Sequence, residues 1–221
     1  MRIENESELI DYKGWFLRIR QPVNKPYGRI LILLHGWSGD ENSMWVFGKD
    51  IPKDYWVISP RAPFSAGIKG YSWREPTPGR TWGLPKINEF QSSLNPLMEM
   101  LNDWSILNSV TLKTIDLIGF SQGAALACAL LLFARKHIEK VACLAGFMPE
   151  GGNEIAIPGM LSGKKVFAAH GTSDEMVPLS KGQEMVEILR YAGAEVETCT
   201  ENVGHKVGSQ CFKSLENFFK G

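Results

Sequence analysis

Short apolar runs alternate along this chain with longer segments whose apolar residues recur at helical spacing. The runs read as strands near 14–20, 29–34, 55–59, 114–119, 140–145, 165–169 and 195–200, and the segments between and after them as helices near 41–48, 88–107, 122–135, 180–192 and 206–219. The last helix carries Val207, Phe212, Leu215, Phe218 and Phe219 and has no internal proline. Strands alternating with helices predict an α/β fold: a mostly parallel central sheet of about seven strands with helices on both faces. At 221 residues, 44% of them hydrophobic, the chain can bury one sizeable core, and no repeat or linker divides it, so residues 1–221 are expected to form a single domain with no separate lid.

Chemistry concentrates where the fourth strand meets its helix. Gly119-Phe120-Ser121-Gln122-Gly123 follows the strand candidate Thr114–Ile118 and precedes the helix-like run Ala124–Arg135, the context a G-x-S-x-G nucleophile elbow requires. Reversing a strand into a helix within a couple of residues strains the central backbone, which small neighbours tolerate, and lifts the serine oxygen clear of the sheet. The pattern alone would arise by chance in a chain with 22 glycines; its strand and helix make it informative.

A serine nucleophile needs a base and an orienting acid, which in this fold follow it in the order acid, then histidine. His35 precedes Ser121, and His137 lies at the basic end of the elbow helix, in Arg135-Lys136-His137. His170 follows the strand 165–169 and reads as a buried imidazole bonded to backbone. Asp174 is the one aspartate between Ser121 and His205, and because His170 precedes it, chain order leaves His205, in Gly204-His205-Lys206, as the base. Glu175 is the rival acid, expected to point to solvent. The loop His35-Gly36-Trp37-Ser38-Gly39-Asp40 leaves another strand end, so the backbone N–H groups of Trp37 and Gln122 are the expected oxyanion donors.

These motifs resemble the phospholipase/carboxylesterase family of α/β-hydrolases, which includes acyl-protein thioesterases and small carboxylesterases. The resemblance rests on Leu34-His35-Gly36 through Gly39-Asp40, Pro60-Arg61-Ala62-Pro63, the elbow, Ala145-Gly146-Phe147 with Pro149, His170-Gly171 with Asp174 and Val177-Pro178, and Gly204-His205. It implies the α/β-hydrolase fold, the triad Ser121, Asp174 and His205, and the same two oxyanion donors. Members commonly carry a smaller aliphatic residue at the Trp37 position and an aromatic-acid pair where this chain has Trp73-Arg74-Glu75, so a long-chain or protein substrate is not carried over.

The expected function is hydrolysis of carboxylic esters or thioesters of short to medium acyl length through an acyl-enzyme. Lysophospholipase or acyl-protein thioesterase activity, a lactone or amide hydrolase using the same triad, and a non-catalytic binding protein on this scaffold are the alternatives. The irregular stretch Pro60–Pro85 is rich in aromatics, and with Trp37, Phe147 and Met176 its Trp73 and Trp82 are expected to wall the substrate cleft, with the Trp37 indole on the acyl side and Arg61, Arg74 and Arg80 available at the mouth.

Net charge is zero with both signs interspersed, so no surface advertises nucleic acid. The longest apolar run, Ala124–Ala134, is too short to span a bilayer, and the start is polar and acidic. Cys128, Cys143, Cys199 and Cys211 lack C-x-x-C spacing and read as reduced core thiols, from which a cytoplasmic enzyme without metal or cofactor is expected. Its expected partner is a small-molecule ester; homodimerisation is left open.

Overall fold

The computed structural model describes residues 7–23, 29–49, 51–76, 84–110, 112 and 114–220. Its main sheet has eight strands: β1 (Glu8–Tyr12), β2 (Trp15–Arg20), β3 (Arg29–Leu34), β4 (Tyr55–Pro60), β7 (Ile115–Phe120), β8 (Ile138–Leu144), β9 (Lys165–Gly171) and β10 (Glu195–Glu201). They lie in the order β1-β2-β4-β3-β7-β8-β9-β10. The pairs β1–β2 and β2–β4 are antiparallel and all later pairs parallel. The first strand, unmarked by any apolar run, forms an edge hairpin with β2 around Lys13 and Gly14, both at positive φ, with the Gly14 N–H donated to Asp11. Strands β5 (Phe64–Ser65) and β6 (Tyr71–Ser72) make a small separate hairpin inside the long loop.

Helices α1 (Trp45–Gly48), α2 (Gln91–Leu107), α3 (Gln122–Phe133), α4 (Gly152–Ile155), α5 (Leu179–Tyr191) and α6 (Ser209–Lys220) cover both faces of the sheet. Side chains alternate across strands, so Ile30, Ile32 and Leu34 join the core containing residues of α2, α3 and α5, while Leu31 and Leu33 join the core with Trp45, Leu215 and Phe218. Helix α3 is buried almost all round, as its uniformly apolar sequence requires.

Helices α1 and α6 begin later than their apolar patterns predict. Asp40 accepts the N–H groups of Asn42 and Ser43, a local alternative to the helical ladder that delays α1 to Trp45. Residues 202–208 remain a loop, and Glu201 accepts the Cys211 N–H at 2.8 Å in the first turn of α6.

The expectation of four reduced thiols is corrected. Cys199 on β10 is bonded to Cys211 on α6, a bond that ties the two ends of the 202–208 loop together, whereas Cys128 and Cys143 are free and face each other at 3.7 Å in the core. Disulfides persist in oxidising compartments, so cysteine chemistry no longer argues for a cytoplasmic location. Cys199, Glu201 and Cys211 offer ligand atoms within 4.8 Å of one another, but both sulfurs are spent in the disulfide and Glu201 holds the helix start. No helix among the described residues is long and apolar enough to cross a membrane.

Candidate active site

Parallel strands β3, β7, β9 and β10 end on one edge of the sheet, and each delivers one part of the site from the loop that follows it. Ser121 comes first. It sits at φ 54°, ψ −115°, a strained conformation for a residue with a Cβ, between β7 and α3. The neighbouring glycines are required by contact rather than by flexibility: a Cβ on Gly119 would strike the Gly123 carbonyl, and one on Gly123 would strike the Leu34 carbonyl. The Ser121 N–H donates to Leu144 at 2.9 Å, and its carbonyl accepts from Ala124 and Ala125, which starts α3 directly behind the hydroxyl. As the first residue of α3, Gln122 has an N–H with no acceptor inside the helix.

Asp174 and His205 meet across the loops after β9 and β10. His205 Nδ1 lies 2.7 Å from Asp174 Oδ2, with the aspartate side chain fully buried and the imidazole 22% exposed. The other oxygen, Oδ1, accepts the N–H groups of Met176 and Val177, each at 2.9 Å. Burial pushes the Asp174 carboxyl up, but the Val177 N–H, His205 and the Met176 N–H outweigh it and hold the group below the usual carboxylate range. An ionised carboxylate only accepts, so Nδ1 carries the proton and Nε2 is left as the basic nitrogen. The His205 ring packs 4.9 Å from the ring of Phe120, the residue before Ser121. Close backbone approach brings it there: the 203–204 carbonyls press on Gly171, where no Cβ would fit.

Of the remaining histidines, His35 and His170 are bonded to backbone, and Glu175 is exposed. His170 donates from Nε2 to the Val177 carbonyl at 2.8 Å, fixing the turn that presents the amides to Asp174. His137 is exposed at the end of a 3-10 turn. His35 is fully buried: its Nδ1 donates to the Gly36 carbonyl at 2.7 Å, so its Nε2 must accept the Ala62 N–H at 3.1 Å. That pairing needs a neutral ring, and burial accordingly holds the His35 pKa below its ordinary value despite the opposing Gly36 carbonyl.

Trp73 corrects the expected cleft wall. It is fully buried, with its indole N–H donated to the His35 carbonyl at 2.8 Å, its own N–H to Gln122 Oε1 at 2.9 Å and its carbonyl accepting Ser93 Oγ at 2.6 Å. Gln122 Nε2 donates in turn to Ser72 Oγ at 3.1 Å. Trp73 therefore clamps the start of the Gly36–Gly39 loop to the elbow helix. Sequence reasoning did not find Ser72 and Ser93, because isolated serines carry no pattern.

The other expected wall residues divide. Phe147 is buried in the core, Met176 is 55% exposed beside Asp174, and the Trp37 indole is 47% exposed. Trp82, like Arg80, lies outside the described residues. Arg61 and Arg74 are engaged rather than available: Arg61 forms a two-bond pair with buried Glu41 at 2.7 and 2.9 Å between the Phe16 and Tyr71 rings, and Arg74 bonds Glu89.

A serine on a strained strand-to-helix turn of a mostly parallel sheet, with acid and imidazole on the later strand ends, defines an α/β-hydrolase. The chain belongs to the Phospholipase/Carboxylesterase family, whose model matches residues 18–221, and is an ester hydrolase of that family. Among curated relatives, carboxylesterase SOBER1 of Arabidopsis thaliana is 28% identical over 53% of either chain, so that alignment spans about half of each protein. Acyl-protein thioesterase 1 of Candida albicans is 25% identical over 91% of this chain and 96% of its own length. The crystal structure of a carboxylesterase from Mesorhizobium loti superposes with a TM-score of 0.78 at 21% identity, covering 99% of this chain and all of that one, a likeness of fold.

Proposed function

We propose that this enzyme hydrolyses carboxylic esters or thioesters of short to medium acyl length by a Ser121–His205–Asp174 triad through an acyl-enzyme. The observation that carries the reading is the 2.7 Å His205–Asp174 bond, with the second carboxylate oxygen tied to two backbone amides, at the same sheet edge as the strained Ser121, whose neighbour Phe120 packs on the His205 ring. His205 Nε2 takes the Ser121 proton as Oγ attacks the carbonyl carbon. The developing oxyanion is held by the backbone N–H groups of Gln122 and Trp37, the latter in the loop that Trp73 and His35 fix, and such a donor pair supplies a few kcal/mol of transition-state stabilisation. His205 then gives its proton to the departing oxygen or sulfur, and the same imidazole activates the water that releases the acid. Asp174 holds the imidazole in the required tautomer throughout.

A fluorophosphonate probe tests this directly. It should label the protein at Ser121, and Ser121→Ala should abolish both labelling and hydrolysis of p-nitrophenyl esters while leaving the far-UV circular dichroism intact. Undiminished turnover by the alanine variant would overturn the assignment. A ladder of p-nitrophenyl esters from acetate to decanoate, measured on the wild type, would fix the acyl range.

A further inference from the structure

An open groove of about 430 Å³ runs beside the proposed triad. It is lined by the Gly36–Gly39 loop including Trp37, by Lys206 and Val207 directly after His205, and by Phe120 directly before Ser121. Helices α1 and α6 contribute Phe47 and Phe212 to the lining, whose rings stack with centroids 5.5 Å apart. The walls are thus mainly apolar and aromatic, with space for more than one ring, the size range of small-molecule sites. Among the described residues no carboxylate pairs with Lys206, an exposed cation at the rim.

We infer that this groove is the leaving-group subsite, built for an ester of an apolar, ring-sized alcohol or thiol that carries an anionic substituent. The inference rests on the triad reading, from which its direction follows. In the acylation step the Ser121 Oγ–carbon bond forms, the bond from that carbon to the leaving oxygen or sulfur breaks, and the proton passes from Oγ through His205 Nε2 to the departing atom. That atom must therefore emerge on the His205 side. The groove lies there: its lining includes Lys206 and Val207, which continue the His205 loop, and Phe120, whose ring packs against the imidazole. Trp37, whose indole is expected on the acyl side from sequence, lines this groove, and the inference assigns it to the leaving-group side. A simple alkyl alcohol would leave most of the groove unfilled, whereas an aryl group would cover Phe120 and Phe212 and bring a ring substituent toward Lys206 Nζ.

The test compares leaving groups at constant acyl group. Phenyl acetate, 4-carboxyphenyl acetate and ethyl acetate are measured by kcat/KM on the wild type, Lys206→Glu and Val46→Trp. Val46 is a half-exposed lining residue of α1, so a larger side chain there narrows the groove without touching the core. Lys206→Glu should lower the carboxyphenyl-to-phenyl ratio about tenfold or more, and Val46→Trp should lower the phenyl-to-ethyl ratio by a similar factor; intrinsic ester reactivity cancels in both comparisons. Hydrolysis with both ratios unchanged would overturn the inference, as would a Val46→Trp effect that follows acyl length instead. Binding of 4-hydroxybenzoate to the Ser121→Ala protein, read by NMR shifts and weakened by Lys206→Glu, provides a measure independent of turnover. If that binding persists while no ester is hydrolysed and Ser121 is not labelled, the triad reading fails and the site stands; if binding is absent, the site fails.

Discussion

Removing the Cys199–Cys211 bond separates two ways in which the proposed base, His205, is held. The cysteines stand 12 residues apart, and the span they close contains His205. In the chain-entropy treatment a cross-link of that length removes about 10 cal/mol/K from the unfolded chain, or about 3 kcal/mol at 25 °C. For a protein of this size that corresponds to a fall in Tm of about 6–12 °C. The folded state has other restraints on the same loop. Thr172 N–H donates to Glu201 at 2.8 Å, Ser173 N–H to Val203 at 3.1 Å, and Cys211 N–H to the Glu201 carboxylate at 2.8 Å, while His205 itself is bonded to Asp174. These bonds do not depend on the sulfurs being joined. The expected result is a large loss of stability with hydrolysis per folded molecule preserved within about threefold well below Tm, since the cross-link acts on the unfolded chain. Differential scanning calorimetry and p-nitrophenyl acetate turnover, run on the oxidised protein, the protein in reductant and Cys199→Ala/Cys211→Ala, provide the comparison. An unchanged Tm in the double variant would refute the entropic argument. Loss of turnover in a protein that remains folded would show that the bond, and not the hydrogen bonds, positions His205.

Asp174→Asn should lower kcat by roughly 10³–10⁴ with the fold intact, because the amide cannot both accept the Nδ1 proton and stabilise the imidazolium; steady-state kinetics beside exposed Glu175→Gln, expected to be near neutral, would check the choice of acid. Trp73→Phe orphans the His35 carbonyl and should cost about 1–3 kcal/mol of unfolding free energy, and by loosening the Gly36–Gly39 loop it should lower kcat more than it raises KM, as denaturation and kinetics together would report. Stability should fall on acidification in two windows. The neutral-ring contribution of His35, whose pKa is lowered in the fold from an ordinary 6.5, is complete above that value and lost as pH drops from there through the folded value, and the contribution of Asp174, also lowered from its ordinary value, is lost at lower pH; urea midpoints that rise between pH 7 and pH 4 would contradict both assignments.

What could be read from sequence depended on whether a residue's neighbours in the chain decide its conformation. The elbow was legible because Gly119 and Gly123 flank Ser121 directly, and the reason for those glycines, contact with the Gly123 and Leu34 carbonyls, is imposed by a strand-to-helix reversal wherever it occurs. Chain order is the weaker rule that pairs Asp174 with His205, and the two do meet at 2.7 Å because parallel strands present successive loops on one sheet edge. The failures share a different origin. Strand β1 is a half-exposed edge strand whose residues Glu8–Tyr12 are specified by pairing with β2 rather than by an apolar run of their own. Cys199 and Cys211 meet only because α6 folds back along β10, a tertiary fact with no spacing signature. Trp73 and Trp37 are both tryptophans in glycine-rich loops, yet one is a fully buried clamp and the other lines a groove beside the His205 loop, and nothing within a few residues of either distinguishes them. The proposed reacting groups are therefore easier to read from this chain than the proposed leaving-group groove: the former need a local backbone geometry that sequence must encode nearby, whereas the latter is assembled from α1, α6 and two loops remote from one another in the chain.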